Sequence, residues 1–526
     1  MRKVQACRQC RDTKRKCHFE LGQQACASCS QRGLQCSKAP AGPHVLRPAT
    51  PRRFMSNAYV AAAELVVDIP DSVVVDLVNN YLTCIHDKPH SLFHLPSLWE
   101  SIQRKSISTK LLYSICALGC RISSDENIRL LEPRLSTTAK RLFQLTLADV
   151  NLEAIQTCIL IANICGVEAD SPSEALYFGI ATRMAYMMFL NTIDFADSII
   201  EQETKCRVWC SLFMADRWVS TGMGLPRQIP NLTDVSLLPI DEYVFQQMEW
   251  KQQNASESYQ PGLWAYMILL ADIFGPVQDL NRYLVQEQLP EDVLNSKITA
   301  LARRFETWKD QLPNSVIFNL ENFDRHRALG NGSTFVALHL GYHHYATLLY
   351  YRYLDVQKQS TPSGRIYASR CKYHASAYSS LLKLSQENQE CSVLHTTSGH
   401  MTAVSSSVLL HTLLFGTEKE LTPAREGLVA NFKALVELQK YWPSLEIVIN
   451  RLFTFQDACL RLDNTNTYKI DRWMLSFLLE HAMPLSQRSH SEEAPDIPRD
   501  FSQPGEGFRE RGRMVNDALS GLRTLR

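Results

Sequence analysis

The sequence predicts an all-α protein: a small cysteine-clamped module at the amino end, a flexible linker and a large multi-helix body. Three observations carry this expectation. Six of the sixteen cysteines fall within the first 36 residues. A proline-rich stretch without apolar periodicity, residues 37–53, follows them. From Asp71 to Pro484, Leu, Ala and Met recur at i, i+3 and i+4, with Gly and Pro sparse inside the periodic stretches and no sustained β alternation. The expected division is 1–40 for the module, 41–70 for the linker, 71–484 for the body and 485–526 for a mostly disordered tail.

In the module, Cys7, Cys10, Cys17, Cys26, Cys29 and Cys36 are separated by 2, 6, 8, 2 and 6 residues, so the first three repeat the spacing of the last three. Given Cys7, five further cysteines at set positions have chance odds on the order of 10⁻⁷ or lower. The amino end has no apolar run of a secretory leader, and the longest uncharged apolar stretch, Met401–Gly416, is short for a membrane span. These features lead us to expect a soluble intracellular chain, where thiols stay reduced and clustered cysteines bind metal. Zinc takes four ligands in a tetrahedron. Six thiolates serve two such ions only if two sulfurs bridge both. A segment of this size has too little apolar surface to fold by burial, so the metal must hold it together.

Charge is distributed unevenly. The whole chain sums to +1, but residues 1–53 carry +10 and the rest −9. Arg8, Arg11, Lys14, Arg15 and Lys16 lie between Cys7 and Cys17, against the single acid Asp12, whereas Cys26–Cys36 encloses only Arg32. One half of the repeat is built to face a polyanion. The alternatives are a solvated basic face, an import signal, or a zinc module that docks a protein.

The text CRQCRDTKRKC followed by CASCSQRGLQC resembles the fungal zinc binuclear cluster (Zn2Cys6) transcription factors over the whole module. The resemblance implies Cys7 and Cys26 as the bridging ligands. One zinc would be held by Cys7, Cys10, Cys17 and Cys26, and the other by Cys7, Cys26, Cys29 and Cys36. It also implies a short helix after the second cysteine that enters the DNA major groove and reads CGG triplets, with Lys14 as the base contact and Arg8, Arg11, Arg15 and Lys16 as phosphate or flanking contacts. A cation can donate to guanine O6 and N7, while phosphate contacts hold the register. Two positions depart from the family: Thr13 stands where many members carry lysine, and Gln24 where many carry proline. The second leaves the connector Phe19–Ala25 more flexible.

The linker reads as flexible or partly polyproline II, with Arg47, Arg52 and Arg53 as free cations. Residues 37–75 hold no sustained heptad, since the apolar run Tyr59–Ile69 ends at Pro70. No zipper is expected, and binding as a monomer or pairing through the body both stay open.

In the body, Asp71–His86, Ser108–Ala117, Leu135–Leu147 and Asn151–Val167 fit amphipathic or buried helices. Ala175–Asn191 is apolar around most of its circumference, so it is expected to be central, with Arg183 needing a partner if buried. Lys205–Ile229 reads as a buried helix carrying Trp209, Asp216 and Arg217, ended by Gly222 and Gly224 ahead of Pro226. These two stretches, and above all GLPRQI after an Asp-Arg pair, resemble the middle homology region, the fungal-specific transcription factor domain. Leu338–Leu354 is compatible with the same pattern. The resemblance implies a regulatory body, sometimes responsive to a small-molecule effector, without catalysis. It further implies a nuclear regulator of RNA polymerase II promoters, acting with the transcription machinery on metabolic pathway genes.

Chemistry in the body has few candidates. His339, His343 and His344 could be metal ligands but have no acidic or cysteine partner nearby in sequence. Cys206 and Cys210, one turn apart, could be a redox pair or simply buried thiols. No G-x-S-x-G, H-E-x-x-H, phosphate-binding loop or dinucleotide fingerprint occurs. The tail offers at most a short helix at Met514–Leu525.

Overall fold

A computed structural model describes residues 7, 10, 14, 16–18, 26–32, 67–88, 90–194, 196–232, 238–249, 260–286, 289–460, 470–486 and 506–525. Two compact units result, Met1–Ala63 and Glu64–Arg526. Among the described residues every regular element is helical, and the only bridges are the isolated pairs His86 with His90 and Ile240 with Pro261.

Among the described residues of the first unit, Ala27–Ser30 form a short helix, α1, with Cys26 as its N-cap. The second opens with α2 (Asp71–Cys84), α3 (Leu95–Gln103), α4 (Thr109–Ile122), α5 (Glu126–Arg129), α6 (Glu132–Leu145), α7 (Leu152–Val167), α8 (Ser171–Met187) and α9 (Ile199–Gly222). It continues with α10 (Glu242–Gln246), α11 (Leu263–Gln286), α12 (Glu291–Asp310), α13 (Leu320–Ala328), α14 (Gly332–Tyr350) and α15 (Pro362–Glu387). Last come α16 (Thr397–Phe415), α17 (Glu418–Gln439), α18 (Leu445–Leu460), α19 (Arg472–Ser476) and α20 (Glu506–Leu525). The four helices expected at the start of the body form within a few residues of their expected bounds.

Helices with few charges are the innermost. In α7 only Glu153 is charged, and twelve of its residues from Ala154 to Val167 are buried. In α16, which has no charged residue, small hydroxyl side chains let neighbours approach. Ser405 Oγ donates to the Ala375 carbonyl at 2.9 Å, Tyr378 and Thr402 share a 2.9 Å bond, and Asn431 Nδ2 donates to Ser405 and Ser406. Each buried hydroxyl thus has a partner, as burial requires. By length and apolarity α11 could cross a membrane, but 72% of its apolar window is buried inside the body. Pro276 interrupts its ladder, and the Asp272 carbonyl that its missing N–H would have served accepts from Arg304 at 3.5 Å.

Two expectations are corrected. The helix α8 is not enclosed all round: Leu176, Arg183 and Met187 are exposed, so Arg183 meets water and needs no partner. In the tail, 20 residues form α20, longer than the expected Met514–Leu525. Its Val515, Leu519 and Leu522 are buried, and Arg511 donates to the Gly416 carbonyl at 2.6 Å at the carboxyl end of α16 and to Glu418 at 2.8 Å. Spacing of 4 and 3 residues between those apolar positions makes one buried stripe, which a composition-based reading of the tail misses.

Candidate metal centre and the helix end in the body

In the first unit the chain folds around sulfur. Cys7, Cys10, Cys26 and Cys29 are buried and Cys17 is half-buried. The Sγ atoms of Cys7, Cys10, Cys17 and Cys26 all lie within 4.8 Å of one another. Cys7 Sγ stands 3.8 Å from Cys26 Sγ and 3.7 Å from Cys29 Sγ, and Cys10 Sγ stands 3.6 Å from Cys26 Sγ. A tetrahedral zinc with sulfurs at about 2.3 Å has sulfur–sulfur edges of about 3.8 Å, so the donor set fits that ion. Backbone N–H groups point at the same atoms: Cys7 N–H donates to Cys17 Sγ at 3.3 Å and Cys10 N–H to Cys7 Sγ at 3.4 Å. Burial opposes ionisation of the Cys7 thiol, but the Cys10 N–H and the adjoining thiols outweigh it and bring its pKa down to about 6. Burial pushes Cys26 and Cys29 up. Without a cation, so many thiolates cannot share so small a volume.

Lys14 and Lys16 are exposed, and Lys14 stands in a turn at φ 49°, in the left-handed region. Ala27 N–H donates to the His18 carbonyl at 3.0 Å, tying the residue after Cys17 to the second half of the repeat. Cys36, Arg8, Arg11 and Arg15 lie outside the described residues, as do the linker cations Arg47, Arg52 and Arg53.

In the second unit the Asp-Arg pair and the GLPRQI segment form one clamp. The helix α9 ends in a Schellman motif: Leu225 N–H reaches the Ser220 carbonyl at 2.8 Å and Gly224 N–H the Thr221 carbonyl at 3.4 Å, with Gly224 at φ +67°. The loop then turns back on its own helix. Asp216 accepts from the backbone N–H groups of Gln228 and Ile229 at 2.9 and 3.0 Å, while Arg217 donates to the carbonyls of Ile229 and Pro230 at 3.2 and 2.9 Å. Arg227 binds Asp279 of α11 through two contacts, at 2.9 and 2.6 Å. The Thr221 and Gly222 carbonyls accept from Glu480 and Ala482 N–H, and a Cβ at Gly222 would stand 3.0 Å from His481 Nε2.

The three histidines of α14 do not converge. His339 Nε2 meets the Val316 carbonyl at 2.9 Å, His343 pairs with His374 at 3.0 Å, and His344 stacks on Trp218. Cys206 and Cys210 are buried thiols. Their mutual hydrogen bond, with burial, pushes Cys206 well above its ordinary range. Sequence inspection missed Arg207, fully buried on α9, which donates to Glu203 at 2.7 Å, Ser91 at 3.1 Å and the Ile240 carbonyl at 2.7 Å. Its spacing of four from Glu203 was the available signal.

Residues 5–42 match the fungal Zn(2)-Cys(6) binuclear cluster domain, and residues 78–310 match the fungal specific transcription factor domain. The chain thus carries, in this order, the cysteine cluster domain and the helical domain that its sequence resembles. Two uncharacterized transcriptional regulatory proteins of Schizosaccharomyces pombe are similar to it. One is 23% identical over 337 residues, covering 56% of this chain and 34% of the relative. The other is 24% identical over 435 residues, covering 71% and 51%. A Zn(2)-C6 fungal-type transcription factor of Fusarium oxysporum is 22% identical over 426 residues, covering 72% and 45%. This binuclear cluster chain thus spans about a third to a half of the length of those curated relatives.

Proposed function

We propose that this zinc cluster protein is a zinc-dependent, sequence-specific DNA-binding regulator of transcription at RNA polymerase II promoters, acting in the nucleus. The observation that carries the proposal is the sulfur shell, with separations of 3.6 to 3.8 Å, beside the exposed Lys14 and Lys16. Two zinc ions would be held by Cys7, Cys10, Cys17, Cys26, Cys29 and Cys36. Cys7 and Cys26 suit the bridging role because each approaches two cysteines of the other half of the repeat, Cys7 meeting Cys26 and Cys29, and Cys26 meeting Cys7 and Cys10. The metal supplies rigidity, and the residues supply recognition. Lys14 would donate to guanine O6 and N7 in a CGG-type site, and Arg8, Arg11, Arg15 and Lys16 would hold phosphates. The body would be regulatory and non-catalytic, with the transcription machinery as its partner. A role at metabolic pathway genes rests on the family resemblance alone.

Selection of duplexes from a random pool by the zinc-loaded full chain tests this reading. CGG-containing sites should emerge. Lys14→Ala should weaken the selected site by roughly 1–3 kcal/mol more than it weakens random DNA. A rival reading, a zinc module that docks an acidic protein, draws on the same basic run between ligands. It predicts no sequence preference in the pool.

A further inference from the structure

The helix α20 is tied to the body at a few defined points. It packs on α16 and α17. Val515, Leu519 and Leu522 are its buried side chains among those described. Arg511 donates to the Leu414 and Gly416 carbonyls at 3.4 and 2.6 Å and to Glu418 at 2.8 Å. The Arg523 guanidinium lies over the Phe453 ring of α18, 4.9 Å from its centre. The Leu414 and Gly416 carbonyls stand at the carboxyl end of α16, where a helix has no donors of its own. The seat of α20 thus reads one pattern: an arginine, then aliphatic side chains four, eight and eleven positions later.

Two glycines inside α20 serve no packing. A Cβ at Gly119 of α4 would run into the Leu77 carbonyl, and one at Gly399 of α16 into the Leu445 side chain, so those helices need glycine for close approach. A Cβ at Gly512 or Gly521 would meet nothing within 4 Å. Alanine would fit at both and would favour the helix about fivefold at each. Asn516, Asp517, Ser520 and Thr524 are poor helix formers as well. The helix therefore depends on its docking. Its seat does not depend on the helix, because α16 also packs on α14, α15, α17 and α18.

We propose that α20 is a displaceable latch, and that the seat it fills is a docking site for an amphipathic helix of a partner protein carrying the same pattern of one arginine and three aliphatic anchors. Helix-in-groove recognition takes its affinity from anchors at such spacings. The arginine is selected by Glu418 and by the negative end of the α16 dipole. Occupancy by α20 sets the threshold, since a partner's affinity is reduced by the fraction of chains in which the seat is free. Glycine in place of alanine at both positions raises that fraction about twenty-fold. The proposal goes beyond DNA reading and stands apart from it, because its readout is the affinity of a helix for the body.

The test uses the full zinc-loaded chain and a fluorescent peptide of the α20 segment, Glu506–Leu525, made with Gly512→Ala and Gly521→Ala. The wild-type chain should bind this peptide. The same two substitutions in the chain should weaken peptide binding about twenty-fold and slow hydrogen exchange of the α20 amides by the same factor, with the α7 amides unchanged. Leu519→Asp in the chain should tighten peptide binding at least about tenfold by freeing the seat. Arg511→Ala in the peptide should weaken it about tenfold. The two alanines stabilise the chain, so the proposal stays falsifiable if Leu519→Asp fails to fold. It is overturned if the wild-type chain gives no binding at millimolar peptide, or if the alanine chain binds as wild type does. It is equally overturned if a folded Leu519→Asp chain binds no more tightly, if the peptide without arginine binds as well as its parent, or if α20 amides exchange no faster than those of α7.

Discussion

At residue scale, the Asp216–Arg217 pair shows how a recognisable piece of sequence can be structural. Its carboxylate accepts two loop N–H groups and its guanidinium donates to two loop carbonyls, so all four backbone groups are satisfied by adjacent side chains. Arg217 is fully buried. Removing one partner leaves the other charge uncompensated. Asp216→Ala should therefore cost about 3 kcal/mol or more in urea unfolding, whereas an exposed substitution such as Arg183→Ala should stay within about 0.5 kcal/mol. Glu174 makes a separate prediction in pH. Its folded pKa, about 8, lies above the ordinary 4.5, so folding favours the protonated form. That contribution is fully present below pH 4.5 and is lost as pH rises through about 8. Unfolding free energies measured across that window should decline with pH in wild type, and the decline should be shallower in Glu174→Gln. An unchanged slope would mean the carboxyl is ionised in the native body.

At the scale of elements, the legible features were those written in periodicity and spacing. Helices α2, α4, α6 and α7 follow from their apolar recurrence, and the end of α9 from Gly222, Gly224 and Pro226. The metal centre was legible because thiol spacing is a covalent constraint that survives without knowledge of packing. Arg183 was misjudged because apolar circumference does not say which side faces water: α8 leaves Leu176 and Met187 exposed next to it. The tail helix α20 was half legible. Its stripe Val515, Leu519, Leu522 has helical spacing, but the acceptor for Arg511 is the carboxyl end of α16, about a hundred residues earlier. That contact places a cation at the negative end of a helix dipole. Leu522→Ala should cost about 2–4 kcal/mol. Hydrogen exchange should accelerate along α20 and at neighbouring α16 amides. If the exchange rates of α16 stayed as in wild type, the docking of α20 would contribute nothing to it.

For the whole molecule, the two units are held by different forces. In the first, the buried cluster among the described residues is made of cysteines, Cys7, Cys10, Cys26 and Cys29 with Cys17 packed against them. In the second, one continuous apolar core runs from Val67 to Leu522. Metal removal should therefore act on the first unit alone, whereas acid, which protonates thiolates as well as buried imidazoles, should act on both. His344 and His400 are buried, and burial depresses the pKa values of both, that of His344 to about 3 from 6.5. The body's stability from these neutral imidazoles is present above pH 6.5 and is lost as pH falls toward 3. A chelator at neutral pH leaves those groups untouched and removes what organises the cysteines, since metal binding and folding of so small a module are one equilibrium. Chelation should release about two zinc ions per chain and abolish DNA binding. Far-UV ellipticity should fall only slightly, because the helices of the body have their own core, and the urea transition of the body should not move. A loss of most of the helical signal on chelation would show that the body depends on the metal, and separate stabilisation of the two units would have to be abandoned.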